Sequence, residues 1–204
     1  MLRKLTYTLG ALALFGAMPA IAAAPVIGQA APDFEAIDVH GNAFKLSEHK
    51  GEAIVIEWTN HQCPFVVKHY ETGNMQAVQK AAMEKGAKWV QILSSAPGKQ
   101  GHLSAEEAIQ ITKDDGATIT TKILDESGTI GNLYEAKTTP HMFVVNTEGV
   151  LAYAGAIDDK PSPSHKTVKG AQNYVLAALD NLAAGEAVTT PQTPPYGCGV
   201  KYAH

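Results

Sequence analysis

The chain has 204 residues, 45% of them hydrophobic, enough to bury the core of one ordinary domain. Its 16 basic and 20 acidic side chains give a formal charge of -4, which excludes nucleic acid or an anionic lipid surface as the expected partner.

The N-terminus reads as an export signal. "MLRK" is a basic head, "LTYTLGALALFGAM" an apolar stretch, and "AIAAAP" a small-residue cleavage region in which Ala20-Ile21-Ala22 fits the A-x-A pattern. Cleavage before Ala23 predicts a periplasmic or secreted protein with no stable membrane insertion afterwards; an uncleaved anchor is the alternative. No later run approaches the ~20 apolar residues of a membrane helix. Losing Arg3 and Lys4 leaves 14 basic against 20 acidic side chains, and Arg3 is the sole arginine. Residues 23–188 then read as one domain, and 189–204 as a Pro- and Gly-rich tail carrying the second cysteine.

In chain order, "APDFEAIDVHGNAFKLSEHKG" predicts two short strands around His40-Gly41-Asn42. "EAIVIEW" is a β-branched apolar run expected of a strand buried on both faces. A helical pattern runs from Pro64 towards Gly86, kinked or restarted at Thr72-Gly73-Asn74 with Asn74 as the expected new N-cap. "AKWVQILSSA" is a second buried strand, and "SAEEAIQITKDDG" a helix opened by a Ser104/Glu107 capping box. "ATITTKILDESG" offers a third strand and "TIGNLYEA" a short helix. "HMFVVNTEGVLAYAGAID" is a hairpin turning near Glu148-Gly149. "SHKTVKGAQNYVLAALDNLAAGE" predicts the last helix, with Val168, Ala171, Val175, Ala178, Leu179 and Leu182 on one face. The order predicts an α/β fold with helices on both faces of a sheet.

The chemistry centres on Cys63. It stands where a buried strand hands over to a helix, and Pro64 after it suits the first helical position, so Cys63 falls at or near the N-cap. Free N–H groups and the helix dipole there stabilise a thiolate, against the alternative of an inert buried cysteine. Asn60, His61 and Glu57 are candidate supporting residues; His61 and His69 bring imidazoles, and a buried Glu57 carboxyl with a raised pKa could take the thiol proton. Proline before the apolar strand in "KTTPHMFVVN" makes Thr139-Pro140 a candidate cis peptide, with an ordinary trans bond equally open. A cis bond turns the Thr139 backbone outward, where it can pair with a substrate chain. The paired aspartates of "GAIDD" point different ways in an extended chain and are read as neither a metal site nor a catalytic pair.

Together "APDFEAIDVHG", "NHQCPFVVKHY", "TTPHMFVVNTEG", "YAGAIDD" and "YGCGVKY" resemble exported redoxin-domain proteins of the thioredoxin-like superfamily, in its alkyl hydroperoxide reductase/thiol-specific antioxidant (peroxiredoxin-like) branch. The resemblance covers Ala31 to Tyr202. It implies a thioredoxin-like fold: a central mixed β-sheet flanked by helices, with an N-terminal hairpin and an inserted helix and strand before the cis-proline. It also implies Cys63 as nucleophile, Thr139 and Pro140 as substrate-positioning residues, and no cofactor or resident metal.

The sequence departs from both better-known relatives. Cys63-Pro64-Phe65-Val66 keeps the first cysteine of a CxxC site and loses the second. Asn60 replaces the threonine of the peroxiredoxin TxxC arrangement, Thr59 lies one residue further back, and no arginine remains to hold a peroxide. Lys68, Lys137 and His141 are candidate substitutes. Cys198 is the candidate resolving thiol, with a permanent structural disulfide or two free thiols as the alternatives. The expected function is thiol-disulfide exchange on proteins or thiol-dependent peroxide reduction, served by a periplasmic thiol reductant. The alternative is a non-catalytic binding module or a copper carrier drawing on His61, Cys63, His69, His141 and Met142.

Overall fold

The computed structural model describes residues 24–203, so the export-signal reading of residues 1–22 lies outside the described part. An N-terminal ribbon comes first: β1 (Glu35–Ile37) and β2 (Ala43–Lys45) pair antiparallel across the expected turn. There the Asp38 carboxylate accepts the N–H groups of His40 (2.9 Å) and Asn42 (2.8 Å). β3 (Ile54–Trp58) follows, then α1 (Pro64–Glu71), α2 (Asn74–Glu84), β4 (Lys88–Leu93), α3 (Ala105–Asp114), β5 (Thr121–Leu124) and α4 (Thr129–Leu133). The chain continues through β6 (Thr138–Thr139), β7 (His141–Val145), β8 (Leu151–Gly155), α5 (Tyr174–Ala183) and β9 (Cys198–Gly199).

The main sheet has the order β5-β4-β3-β7-β8, with β3, β4 and β5 parallel and β7 antiparallel to both its neighbours. β3 is therefore central and buried along its length, as its run of β-branched residues requires. Period-two alternation splits the core into two layers. Val55, Trp89, Met142, Val144 and Tyr153 pack under α1, α2 and α5, while Ile54, Ile56, Trp58, Val90, Ile92 and Phe143 pack against Phe34, Phe44, Leu46 and Tyr134. Each fully buried side chain of this size contributes about 1.5–3 kcal/mol. Among the described residues no helix is long and apolar enough to cross a membrane.

Two element starts differ from the sequence expectation. Gly73, at φ 73°, is the N-cap of α2, and Asn74 is its first helical residue. The Asn74 amide instead contacts His69 Nδ1 at 2.8 Å. The last helix begins at Tyr174, so Val168 and Ala171 precede it. Gly170 at φ 76° interrupts the chain, and Asn173 then caps α5 by accepting the Leu176 N–H at 2.9 Å. The capping box on α3 is present as expected, with both its hydrogen bonds made.

Candidate active site

The central strand delivers Cys63 to the sheet's C-terminal end. Past Trp58 the chain turns at Asn60, whose carbonyl accepts the Cys63 N–H at 2.9 Å. The Asn60 side chain fixes the turn, accepting the Gln62 N–H at 2.9 Å and donating to the Gln100 carbonyl at 3.3 Å. Gly101 permits that approach, since a Cβ there would stand 2.3 Å from Asn60 Oδ1. Asn60 thus shapes the loop that carries the thiol. Cys63 is the N-cap of α1 and Pro64 its first residue, as the Cys-Pro pair predicts.

Thr139-Pro140 is cis. Trp58 pairs with His141 across β3 and β7, and this register sets the loop before β7 beside the Cys63 turn. Cys63 Sγ donates to the Thr139 carbonyl at 3.0 Å, and no part of Cys63 is exposed.

The covering segment is the C-terminal tail. β9 pairs antiparallel with β6, placing Cys198 opposite Thr139 and Gly199 opposite Thr138. Gly197 makes this close pairing possible: it sits at φ 141°, and a Cβ there would lie 2.0 Å from the Thr139 carbonyl oxygen. Both cysteines are free thiols, and Cys198 packs against the core cluster that contains Cys63. Burial pushes the Cys63 thiol up, but hydrogen bonds from the Cys198 thiol, the Thr139 side chain and the Cys198 and Val66 backbones outweigh it, and the net direction is down. Burial and the neighbouring Cys63 thiol push Cys198 up to about 11. The pair is asymmetric, with Cys63 the readier thiolate and Cys198 the proton holder.

The other candidates stand further off. Glu57 is buried on the α1 side, accepting from Trp89 Nε1 (2.8 Å), Gln91 Nε2 (3.0 Å) and the Tyr70 hydroxyl (3.3 Å). Burial raises its pKa, yet its hydrogen bonds go to these partners and none reaches Cys63. His61 is half-buried and held below its ordinary pKa by burial and by the Lys122 charge, and its Nδ1 has no partner. His141 stacks near Phe143 and accepts the Lys137 N–H at 3.3 Å. Burial holds its pKa down to about 3, so it is neutral and brings no positive charge to an anionic substrate. Lys68 Nζ bonds the Lys160 carbonyl at 3.0 Å, which commits that amine elsewhere. His61, Cys63, His69, His141 and Met142 do not converge: among the described residues no group of three or more His, Cys, Asp or Glu side chains is placed to hold a metal ion. Sequence reasoning missed Gly197. Its signal was the Gly-Cys-Gly triplet, in which only the first glycine meets other backbone closely.

The combination of Cys-Pro helix cap, cis-proline, hairpin and closing helix defines a thioredoxin-like redoxin. The chain belongs to the AhpC/TSA family, whose match spans residues 27–154 and so includes Cys63 and Pro140 but not Cys198. It is similar to a hypothetical protein of Sinorhizobium meliloti 1021 (TM-score 0.73, 27% identity, 87% of this chain and 95% of that one). An uncharacterized conserved protein of Geobacillus kaustophilus is comparably similar (TM-score 0.74, 26% identity, 87% and 93% covered). A protein assigned as thiol:disulfide interchange protein DsbE from Chlorobium tepidum shares the fold (TM-score 0.52, 21% identity, 64% and 84% covered). No curated protein matches the chain.

Proposed function

We propose that the protein is an extracytoplasmic thiol-disulfide oxidoreductase that works through Cys63 and Cys198 as a split dithiol. The observation that carries this reading is that Thr139 accepts from the Cys63 thiol and is itself paired with Cys198 across β6 and β9. The Cys63 thiolate attacks one sulfur of a substrate disulfide, forming a mixed disulfide and releasing one substrate thiolate. Cys198, having lost its proton, then attacks the Cys63 sulfur. A Cys63–Cys198 disulfide forms and the second substrate thiolate leaves. Two electrons pass from protein to substrate, and a thiol reductant returns them. Thr139 and Pro140 shape the edge at which the substrate is presented.

Disulfide exchange is favoured over peroxide reduction. Among the described residues there is no arginine, His141 is neutral, and the Lys68 amine is bonded to the Lys160 carbonyl. The N-terminal signal pattern supports export, which fits disulfide chemistry.

The test is trapping. Wild type mixed with a disulfide substrate should release two substrate thiols and lose both its own. Cys198→Ser should release one and accumulate the mixed disulfide, and Cys63→Ser should release none. Unchanged two-thiol release by Cys198→Ser would exclude the split dithiol.

A further inference from the structure

A group of charged side chains lies buried under the tail, away from the reacting sulfurs. Lys68 and His69 on α1 are fully buried, and Asp158, just beyond β8, is 2% exposed. Tyr196, two residues before Cys198, reaches into this group. Its hydroxyl donates to Asp158 Oδ1 in a short hydrogen bond and lies 3.4 Å from Lys68 Nζ and 3.5 Å from His69 Nε2. The Lys68 ammonium also sits 5.2 Å from the Tyr196 ring centroid, and Phe65 packs on that ring at 5.8 Å.

Burying a lysine and an aspartate is costly unless their polar atoms are matched. Here the matching depends on the tail. Lys68 Nζ has the Lys160 carbonyl and the Tyr196 hydroxyl; Asp158 Oδ1 has the Lys160 N–H (3.0 Å) and the Tyr196 hydroxyl. Asp158 Oδ2 makes no hydrogen bond and sits 3.9 Å from His69 Nε2. Withdrawing Tyr196 would strip a donor from a carboxylate already short of one. The tail is also pinned at Thr193, whose Oγ1 meets the Ala156 N–H at 2.9 Å, and at Tyr202, whose hydroxyl meets the Ala136 carbonyl at 2.8 Å. Tyr196 is the attachment nearest Cys198 on its N-terminal side.

We propose that Tyr196, seated by Asp158 and Lys68, is the positioning residue for the resolving thiol: it holds the tail in the register that brings Cys198 onto Cys63 and keeps Cys63 covered. This rests on reading Cys63 and Cys198 as one redox pair. Its consequence is that the cluster sets how strongly the Cys63–Cys198 disulfide is favoured and how fast outside reagents reach Cys63.

The experiment uses Tyr196→Phe, which keeps the ring and removes the hydroxyl, with Asp158→Asn as a second variant in case the first does not fold. Three quantities are measured: the equilibrium of the Cys63–Cys198 disulfide against glutathione, the rate of Cys63 alkylation by iodoacetamide, and the urea midpoint of the reduced protein. Loss of a hydrogen bond to a charged group predicts roughly a tenfold fall in the first and a tenfold rise in the second. The urea midpoint should also fall, because a buried carboxylate loses a donor, but by less free energy than the disulfide equilibrium does. Unchanged disulfide equilibrium and alkylation rate overturn the proposal, as does a fall matched by an equal loss of global stability, which marks a merely structural role. If wild type forms no Cys63–Cys198 disulfide, the redox-pair reading fails. The alkylation rate alone then decides whether Tyr196 keeps Cys63 covered.

Discussion

Thr139 and Cys198 face each other across a two-residue antiparallel pair, and the same Thr139 accepts the Cys63 thiol on its carbonyl at 3.0 Å. From the sequence, the Thr139 backbone is expected to pair with a substrate chain. Here the chain's own tail takes that place. One segment thus carries the second thiol, a cover over Cys63 and a self-paired strand.

Removing the Cys198 thiol should make Cys63 less acidic. It contributes the largest of the interactions that oppose burial at Cys63. Cys198→Ser keeps a hydroxyl donor, stronger than a thiol but on a shorter bond, and should raise the Cys63 pKa little; Cys198→Ala should raise it more. A pH titration of thiolate absorbance in each variant checks the order, and a pKa unchanged in both would contradict it.

The two glycines flanking Cys198 should behave differently. Gly197→Ala places a methyl 2.0 Å from the Thr139 carbonyl oxygen, whereas a Cβ at Gly199 meets nothing within 4 Å. Gly197→Ala should therefore unseat β9 and raise Cys63 alkylation about tenfold or more, while Gly199→Ala stays within about twofold of wild type. Equal rates in the two variants would mean that β9 does not control access to Cys63.

Acid should weaken the fold through its buried imidazoles. Burial holds His69 at about 4 and His141 at about 3, whereas an unfolded histidine titrates near 6.5. Between those values the unfolded chain binds protons that the folded one refuses, so stability is full above about 6.5 and is lost as pH falls towards 4. Each histidine carries a loss of the order of 3 kcal/mol over that range. His141→Gln should flatten the dependence of the urea midpoint on pH between 7 and 4, measured as the difference from wild type. An identical slope in the variant would show that His141 is not buried neutral.

The Glu57 carboxylate should matter more for folding than for thiol chemistry. Glu57→Ala leaves the Trp89 and Gln91 donors without their acceptor in a buried site, at a cost of about 2–4 kcal/mol. Glu57→Gln keeps an acceptor and should cost less than half as much in chemical denaturation. A larger loss for Gln than for Ala would show that the charge itself is required.

Much of the site was legible because its signals are local. Cys63 before Pro64, the β-branched run into Trp58 and the proline before "HMFVV" each constrain backbone over a few residues, and the structure places them as expected. The link from Cys198 to Cys63 was visible only as one of three possibilities. It depends on a two-residue strand pair between distant segments, too short to leave a periodicity. The helix restart at Thr72-Gly73-Asn74 was legible to within one residue, whereas the early start expected of the last helix arose because apolar spacing runs on through Gly170, where positive φ breaks the chain. From the sequence Lys68 is a candidate substitute for the missing arginine and Asp158 has no role, and only the tertiary fold shows that Tyr196 matches them inside. His141 looked like a spare cation, but its register opposite Trp58 buries it.

The central claim is that Cys63 and Cys198 form one reversible redox couple. Its most direct test is peptide mapping of the protein equilibrated in glutathione buffers, with free thiols counted at each ratio. The account predicts that both thiols disappear together, that the oxidised form contains a Cys63–Cys198 cross-linked peptide, and that dithiothreitol restores both. Persistent glutathionylation of Cys63 with Cys198 still free would contradict it.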